Sequence, residues 1–298
     1  MSTKITTRFL ILSDTHGFDI QKNIGFPLSL PLPRVDVVLH CGDLTQVGGL
    51  SEYSKAIRML GSTDAELKLV IAGNHDLELD PNYDPDEPDE HEKALSLWTG
   101  PEAIQAGITY QTEGTRSFTL KNGSKFTIYA SPFQPEFGDW AFGYRHSEDR
   151  FSIEAAAGCT SIAEYPVPEG VDIMMTHGPP YGILDHVGDG RPLGCKNLLR
   201  AVRRAKPLMH CFGHIHEGYG VHNERWKDGS KSTRRDEAPN VVVSAVNTDL
   251  AGQISQTFSL DDGTLMVNAA LQTGPSQWRN APWLVELQLP RAWWQWQG

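Results

Sequence analysis

Five short apolar runs in this chain each end in a glycine or a small polar residue and then deliver histidine, aspartate or asparagine: FLILSDTHG, VVLHCGD, LVIAGNHD, IMMTHG and MHCFGHIH. In the central one, Leu67, Leu69, Val70, Ile71 and Ala72 suit a strand buried on both faces, and Gly73 ends it ahead of Asn74, His75 and Asp76. Ligands in open α/β sheets bind at the carboxyl ends of such strands. One polar strand end is weak information, but five restrict the chain to α/β architectures that gather strand ends along one edge.

Taken in order, Arg8–Ser13 reads as a strand presenting Asp14 and His16, which can point the same way because side chains alternate along an extended segment. Val35–His40 is the second strand and delivers Asp43. Gly48–Leu60 carries a helical pattern with Ser51 placed to start it, so it forms the crossover to the Leu67 strand. Prolines at 27, 31 and 33 make residues 25–34 an extended loop, and the acidic, proline-rich residues 80–93 read as a solvated, mobile loop without a role. Strands are expected near 106–111, 115–120 and 125–130, the last two joined by a turn at Asn122-Gly123, so that the sheet becomes mixed or a second sheet begins. The segment SPFQPEFGDWAFGY, 131–144, has no period and reads as a pocket wall.

A helix is expected over 150–163, a strand over 171–175 delivering His177, a helix over 195–204, and a strand over 207–212 delivering His214 and His216. Residues 223–237 read as an exposed excursion. Strands near 240–246, 264–270 and 283–289 complete the chain, and Trp293, Trp294 and Trp296 are expected to pack back on the body. With no linker or repeat, residues 1–298 are read as one domain, with core motifs over 8–220 and further strands and the Trp-rich tail over 221–298.

Asp14, His16, Asp43, Asn74, His177, His214 and His216 are all nitrogen or oxygen donors, which suits divalent ions such as manganese, iron or zinc rather than a thiolate-bound structural zinc. Seven donors exceed the needs of one tetrahedral ion. With a bridging carboxylate they fit two ions about 3.5 to 4 Å apart, the spacing of two-metal hydrolytic sites, where a bridging water is acidified and the oxygens of an in-line displacement at phosphorus are clamped. His75, beside a ligand but spare, is the natural proton donor to the leaving group.

The series DTH, GD, GNHD, HG and GHIH resembles the calcineurin-like metallophosphoesterase superfamily, and SPFQPEFGDWAFGY, THGPPYGILD, Gly194-Cys195 and GHIHEGYG most resemble its metallophosphoesterase domain-containing group. The resemblance implies a four-layer α/β/β/α sandwich of two mixed sheets. It implies one metal held by Asp14, His16, Asp43 and His216 and another by Asp43, Asn74, His177 and His214, with Asp43 bridging and His75 catalytic. Manganese is the first choice, with iron, zinc, nickel or magnesium as alternatives. The GD is not followed by the DRG signature of the protein Ser/Thr phosphatases, and it lacks the nearby tyrosine of the purple acid phosphatases.

The implied activity is hydrolysis of a small phosphodiester, a cyclic nucleotide among the candidates. Alternatives are a biosynthetic enzyme using the same metal pair on a non-phosphate substrate, or a scaffold binding through the tryptophan tail. A net charge of -11 argues against a nucleic-acid polymer as partner. The Phe9–Leu12 run is too short for a signal-peptide core or a membrane span, and Cys41, Cys159, Cys195 and Cys211 form no CxxC pair, so the expectation is a cytoplasmic protein with reduced thiols and a small-molecule substrate.

Overall fold

The computed structural model describes residues 4–18, 32–84, 86, 88–226, 240–245, 255–259, 263–274, 277–278 and 280–292. The first half builds β1 (Lys4–Leu12), β2 (Val35–His40), α1 (Leu50–Gly61), β3 (Ala65–Val70), α2 (Pro88–Thr99), α3 (Pro101–Gln105) and β4 (Ile108–Tyr110). Strands β5 (Gly114–Thr119) and β6 (Lys125–Ser131) follow, then short β7 (Gln134–Pro135), β8 (Gly143–Tyr144), β9 (Glu148–Asp149) and β10 (Thr160–Ser161). Next come β11 (Ile173–Thr176), α4 (Lys196–Ala205), β12 (Met209–Phe212), β13 (Gly220–Arg225), β14 (Asn240–Ala245) and β15 (Ser255–Ser259). The last elements are β16 (Gly263–Asn268), β17 (Gln272–Gly274), β18 (Gln277–Trp278) and β19 (Trp283–Pro290).

Two sheets face each other. One has the order β15-β14-β19-β1-β2-β3-β4, the other β13-β16-β12-β11-β6-β5. Strands β1 to β4 are parallel, as are β6, β11, β12 and β16; β19 runs antiparallel to β1, and β5 and β13 are antiparallel edges. Every ligand-bearing turn therefore leaves a parallel strand at its carboxyl end. The strand alternation sorts the apolar residues into layers. Phe9 and Ile11 of β1 meet Ile128, Met175 and Cys211 between the sheets, while Leu10 and Leu12 face Tyr53, Ile57 and Leu60 of α1. On the far face, Leu198, Ala201 and Val202 of α4 cover Met174 and Phe212. The result is the expected four-layer α/β/β/α sandwich, and the second sheet begins between Tyr110 and Gly114.

Several local expectations are corrected. The acidic stretch is not all loop: α2 starts at Pro88, since proline suits a first helical position and Asp89 and Glu90 favour the positive end of the helix dipole, while Ala94 and Trp98 anchor its inner face. Positions 85 and 87 lie outside the described residues. No helix spans 150–163. There β9 pairs with β10, Gly158 takes a φ of 81°, and α4 arginines bind the segment's polar groups, Arg204 bonding Ser152 Oγ and the Phe151 carbonyl. Helix α1 starts at Leu50 after Gly49, with Ser51 inside the first turn. Residues 223–226 belong to β13 and its end rather than to an excursion, with Trp226 buried and its indole donating to Thr264. Prolines 27 and 31, residues 227–239 and the three tail tryptophans lie outside the described residues.

Candidate metal centre

Each donor is fixed by the turn that follows its strand. Asp14, His16, Asp43 and His214 all adopt positive φ, 53°, 42°, 55° and 67°, a conformation costly for residues with a Cβ and typical of sites where surrounding structure imposes it. The turns interlock through backbone bonds, Asp14 N to the Gly42 carbonyl and His16 N to the Asp43 carbonyl, both 2.9 Å. Glycine is required at Gly42, with φ of 100°, where a Cβ would stand 2.6 Å from Nδ1 of His177. It is required again at Gly213, where a Cβ would collide with the Asp14 carboxylate.

The structure brings together all the predicted donors. Asp14, His16 and His216 place ligand atoms within 4.8 Å of one another, and so do Asp43, His177 and His214. Asn74 joins the second group, its Oδ1 2.9 Å from Nε2 of His177. Asp43 lies between them, Oδ2 3.5 Å from His16 Nε2 and Oδ1 3.4 Å from His177 Nε2. His75 adjoins both through its backbone N–H to Asp43 Oδ1, at 2.9 Å, and its ring sits edge-on to His16.

The hydrogen bonding shows what these atoms can hold. Nδ1 of His16 faces the Thr45 carbonyl at 3.1 Å and Nδ1 of His177 faces the Cys41 carbonyl at 2.9 Å, so each must carry its proton there. Both Nε2 atoms are then lone pairs aimed at other acceptors, the Asp43 oxygens and, for His177, Asn74 Oδ1. Lone pairs converging in a buried site repel unless a cation lies between them, so the donor set fits divalent metal ions. Burial pushes His16 down to about 3 and His177 down to about 4, which keeps both rings neutral and able to ligate. Burial, then the Asp14 and Asp76 charges, drives the Asp43 carboxyl well above its ordinary range. Burial acts on Asp14 the same way, but His216 bonded at 3.2 Å, with His177 and His16 nearby, holds it below that range.

Residues beyond the predicted donors shape the site. Asp76, fully buried, accepts from Gly73 N, Leu44 N, Thr45 N and Thr45 Oγ, tying the Asp43 turn to the Asn74 turn. It was visible as the last letter of GNHD, but nothing in the sequence showed whom it would bond. The 131–144 segment, expected to be a pocket wall, reaches the site through Trp140, which stacks on His75 with ring centroids 3.9 Å apart.

A family model described as calcineurin-like phosphoesterase matches residues 7–218, the span that carries every one of these donors. The chain belongs to that family. Within it, the chain is 36% identical over 235 residues to metallophosphoesterase domain-containing protein 1 of Homo sapiens and of Mus musculus, covering 72% of this chain. The match spans 62% of the length of these relatives. Among solved structures, phosphopantetheinyl hydrolase (PptH) from Mycobacterium tuberculosis aligns over 92% of this chain and 95% of its own, with 13% identity and a TM-score of 0.43. The donors stand at the carboxyl ends of parallel strands of both sheets.

Proposed function

We propose that the protein is a dinuclear-metal-dependent phosphodiesterase acting on a small phosphodiester. Family membership and the two donor groups support the broader statement, a metal-dependent phosphoesterase. The observation that carries the reading is Asp43, whose two carboxylate oxygens divide between His16 on one side and His177 on the other, as a bridging ligand requires. Asp14, His16, Asp43 and His216 would hold one ion, and Asp43, Asn74, His177 and His214 the other. Bound there, the ions supply positive charge to the phosphoryl oxygens and a water acidic enough to attack phosphorus near neutral pH.

The chain's own groups orient and protonate. Thr45 and Cys41 carbonyls fix the rings of His16 and His177 so that only Nε2 is offered. His75 donates Nδ1–H to the Gln46 carbonyl at 2.6 Å, which leaves Nε2 to give a proton to the departing oxygen. Burial lowers the His75 pKa, and an anionic phosphate nearby works in the opposite direction, so substrate binding itself favours the protonated ring.

Manganese is the proposed metal pair, on the hardness of the oxygen and imidazole donors. A small-molecule substrate and a cytoplasmic location belong to the same proposal, and the four free thiols are in keeping with the latter. The test is nitrophenol release from a nitrophenyl phosphodiester and the matching monoester by protein stripped of metal and reloaded with Mn²⁺. Metal-dependent turnover favouring the diester is expected. No turnover of either ester by protein carrying two bound ions would move the reading to non-phosphate chemistry.

A further inference from the structure

The proton donor of this site opens onto a surface of unusual composition. His75 is held on one side by the Gln46 carbonyl and on the other by the stacked Trp140 ring. The residue after Gln46 is Val47, 59% exposed, and the tip that carries Trp140 also carries Phe137, 69% exposed. A scattered apolar surface residue needs no explanation. These three need one, because each belongs to a short loop anchored beside the same imidazole.

The anchoring is firm. Strands β7 and β8, paired in parallel, flank the Phe137–Trp140 tip, Ala141 N donates to the carbonyl of Asn74 at 3.2 Å, Phe142 N donates to Asp80 Oδ2 at 2.6 Å, and Gln134 Nε2 donates to the Ala141 carbonyl at 2.8 Å. The tip is thus built onto the turn that presents His75. Its charge is also one-sided. Residues 44–50 and 131–144 contain no lysine or arginine, and Glu136 and Asp139 are exposed on the tip. A leaving group bearing a further phosphate or carboxylate would meet these exposed carboxylates at the tip.

Resting on the phosphoesterase reading, we propose that the substrate's leaving group is a neutral alcohol or phenol with an apolar, ring-bearing body that seats against Val47, Phe137 and Trp140. The departing oxygen would lie at His75 Nε2 to receive a proton, which puts whatever is attached to it beside the two loops that carry these side chains. A ring there gains aromatic and apolar contact with Phe137 and Trp140 at the point where the scissile bond is oriented.

The test compares dibenzyl phosphate with dimethyl phosphate on the metal-loaded full chain. Benzyl and methyl alcohols differ little in acidity, so the ratio of kcat/KM reports the contact rather than leaving-group chemistry. The expected preference for the benzyl ester is about tenfold. The double variant Val47→Ser, Phe137→Ser, which alters two exposed side chains, should reduce that ratio to about two. Ile104→Ser, an equally exposed apolar position (68%) on α3 ahead of the amino end of β4, should leave it where it was. Equal use of the two esters by the unaltered protein, or a ratio that the double variant does not move, overturns the proposal while leaving the phosphoesterase reading intact. Calorimetric binding of benzylphosphonate and methylphosphonate decides the subsite without turnover. The benzyl compound should bind about tenfold tighter, and equal or absent binding refutes the subsite. Failure of every ester, with tighter benzylphosphonate binding retained, would instead remove the phosphoesterase reading and keep the subsite.

Discussion

At the carboxyl edge of the seven-stranded sheet the donor-bearing turns are tied together by the carboxylate of Asp76, whereas at the matching edge of the six-stranded sheet the loops after β11 and β12 meet on the neutral amide of Asn268. There the buried Asp185 carboxylate accepts from Gly182 N and Gly194 N, beyond the donors. On the first edge Asp76 collects four donors at 2.8 to 3.1 Å. On the second, Asn268 donates to the carbonyls of Leu184 and Ile215 and accepts from Ala270 N, at 2.8 to 3.1 Å. The first edge thus holds three buried carboxyls, Asp14, Asp43 and Asp76, and the second contributes His177, His214 and His216. Burying like charges together is unfavourable unless a cation compensates. Among the candidate donors, the carboxyls that a cation would compensate lie with the first sheet, and the second would complete the coordination with imidazoles.

Asp43→Asn gives the largest expected effect and the sharpest break of this comparison. Losing the shared carboxylate should lower activity by at least about a hundredfold, more than the loss of an outer-sphere partner. In metal-free protein the same change should leave the thermal midpoint equal to or above that of the parent, because it removes a carboxyl disfavoured by burial first and by Asp14 and Asp76 second. A lower metal-free midpoint would show that Asp43 stabilises the fold by itself, and the asymmetry between the sheets would fail. The next effect compares the two hubs directly. Asp76→Ala strands four donors and should cost about 3 kcal/mol in urea unfolding at pH 7; Asn268→Ala leaves three groups unpaired and should cost about 2 kcal/mol. Only the first should also disturb Asp43 and His75, so their effects on metal binding should differ more than their effects on stability.

What could be read from the sequence follows the same division. The donors were legible because each sits within a few residues of an apolar run, and the run and its polar end are local signals. The ties between turns were not. Asp76 reaches back more than 30 residues to Leu44 and Thr45, with |i−j| of 32 and 31, and Asn268 reaches Leu184 across 84. Neither partner is marked by any pattern. Helix α2 was hidden because proline and clustered acids look like solvated loop, although at a helix start both are favourable. The reverse error fell on 150–163, where a helix was expected and Arg200 and Arg204 of α4, about 50 positions away, bond the Glu154 and Phe151 carbonyls instead. Trp140 lay within a segment singled out as a wall, but its partner His75 could be found only once the chain had folded.

The smallest expected effect tests whether the two sheets are equivalent beneath the donors. Each carries one buried histidine on its helix-facing side, hydrogen-bonded to a threonine beside a donor: His40 Nε2 to Thr15 Oγ at 3.0 Å, and His210 Nε2 to Thr176 Oγ at 2.8 Å. Burial lowers both from 6.5 to about 3; for His40, Asp14 pulls upward and His177 downward, while His210 feels burial alone. The unfolded chain takes up a proton at each site near pH 6.5, and the folded one does so only near 3. Stability contributed by each neutral ring is therefore present above 6.5 and lost as pH falls toward 3. Within that window each site should add one proton to the slope, about 1.4 kcal/mol per pH unit. In metal-free protein, His40→Asn and His210→Asn should each remove close to one proton's worth of slope from urea unfolding measured between pH 4 and 6, relative to the parent. Equal reductions would mean that the carboxylates of the first sheet act only at its edge. A reduction at His210 without one at His40 would mean that the Asp14 charge reaches behind the donors and keeps His40 near its ordinary titration, extending the asymmetry between the sheets into the strands themselves.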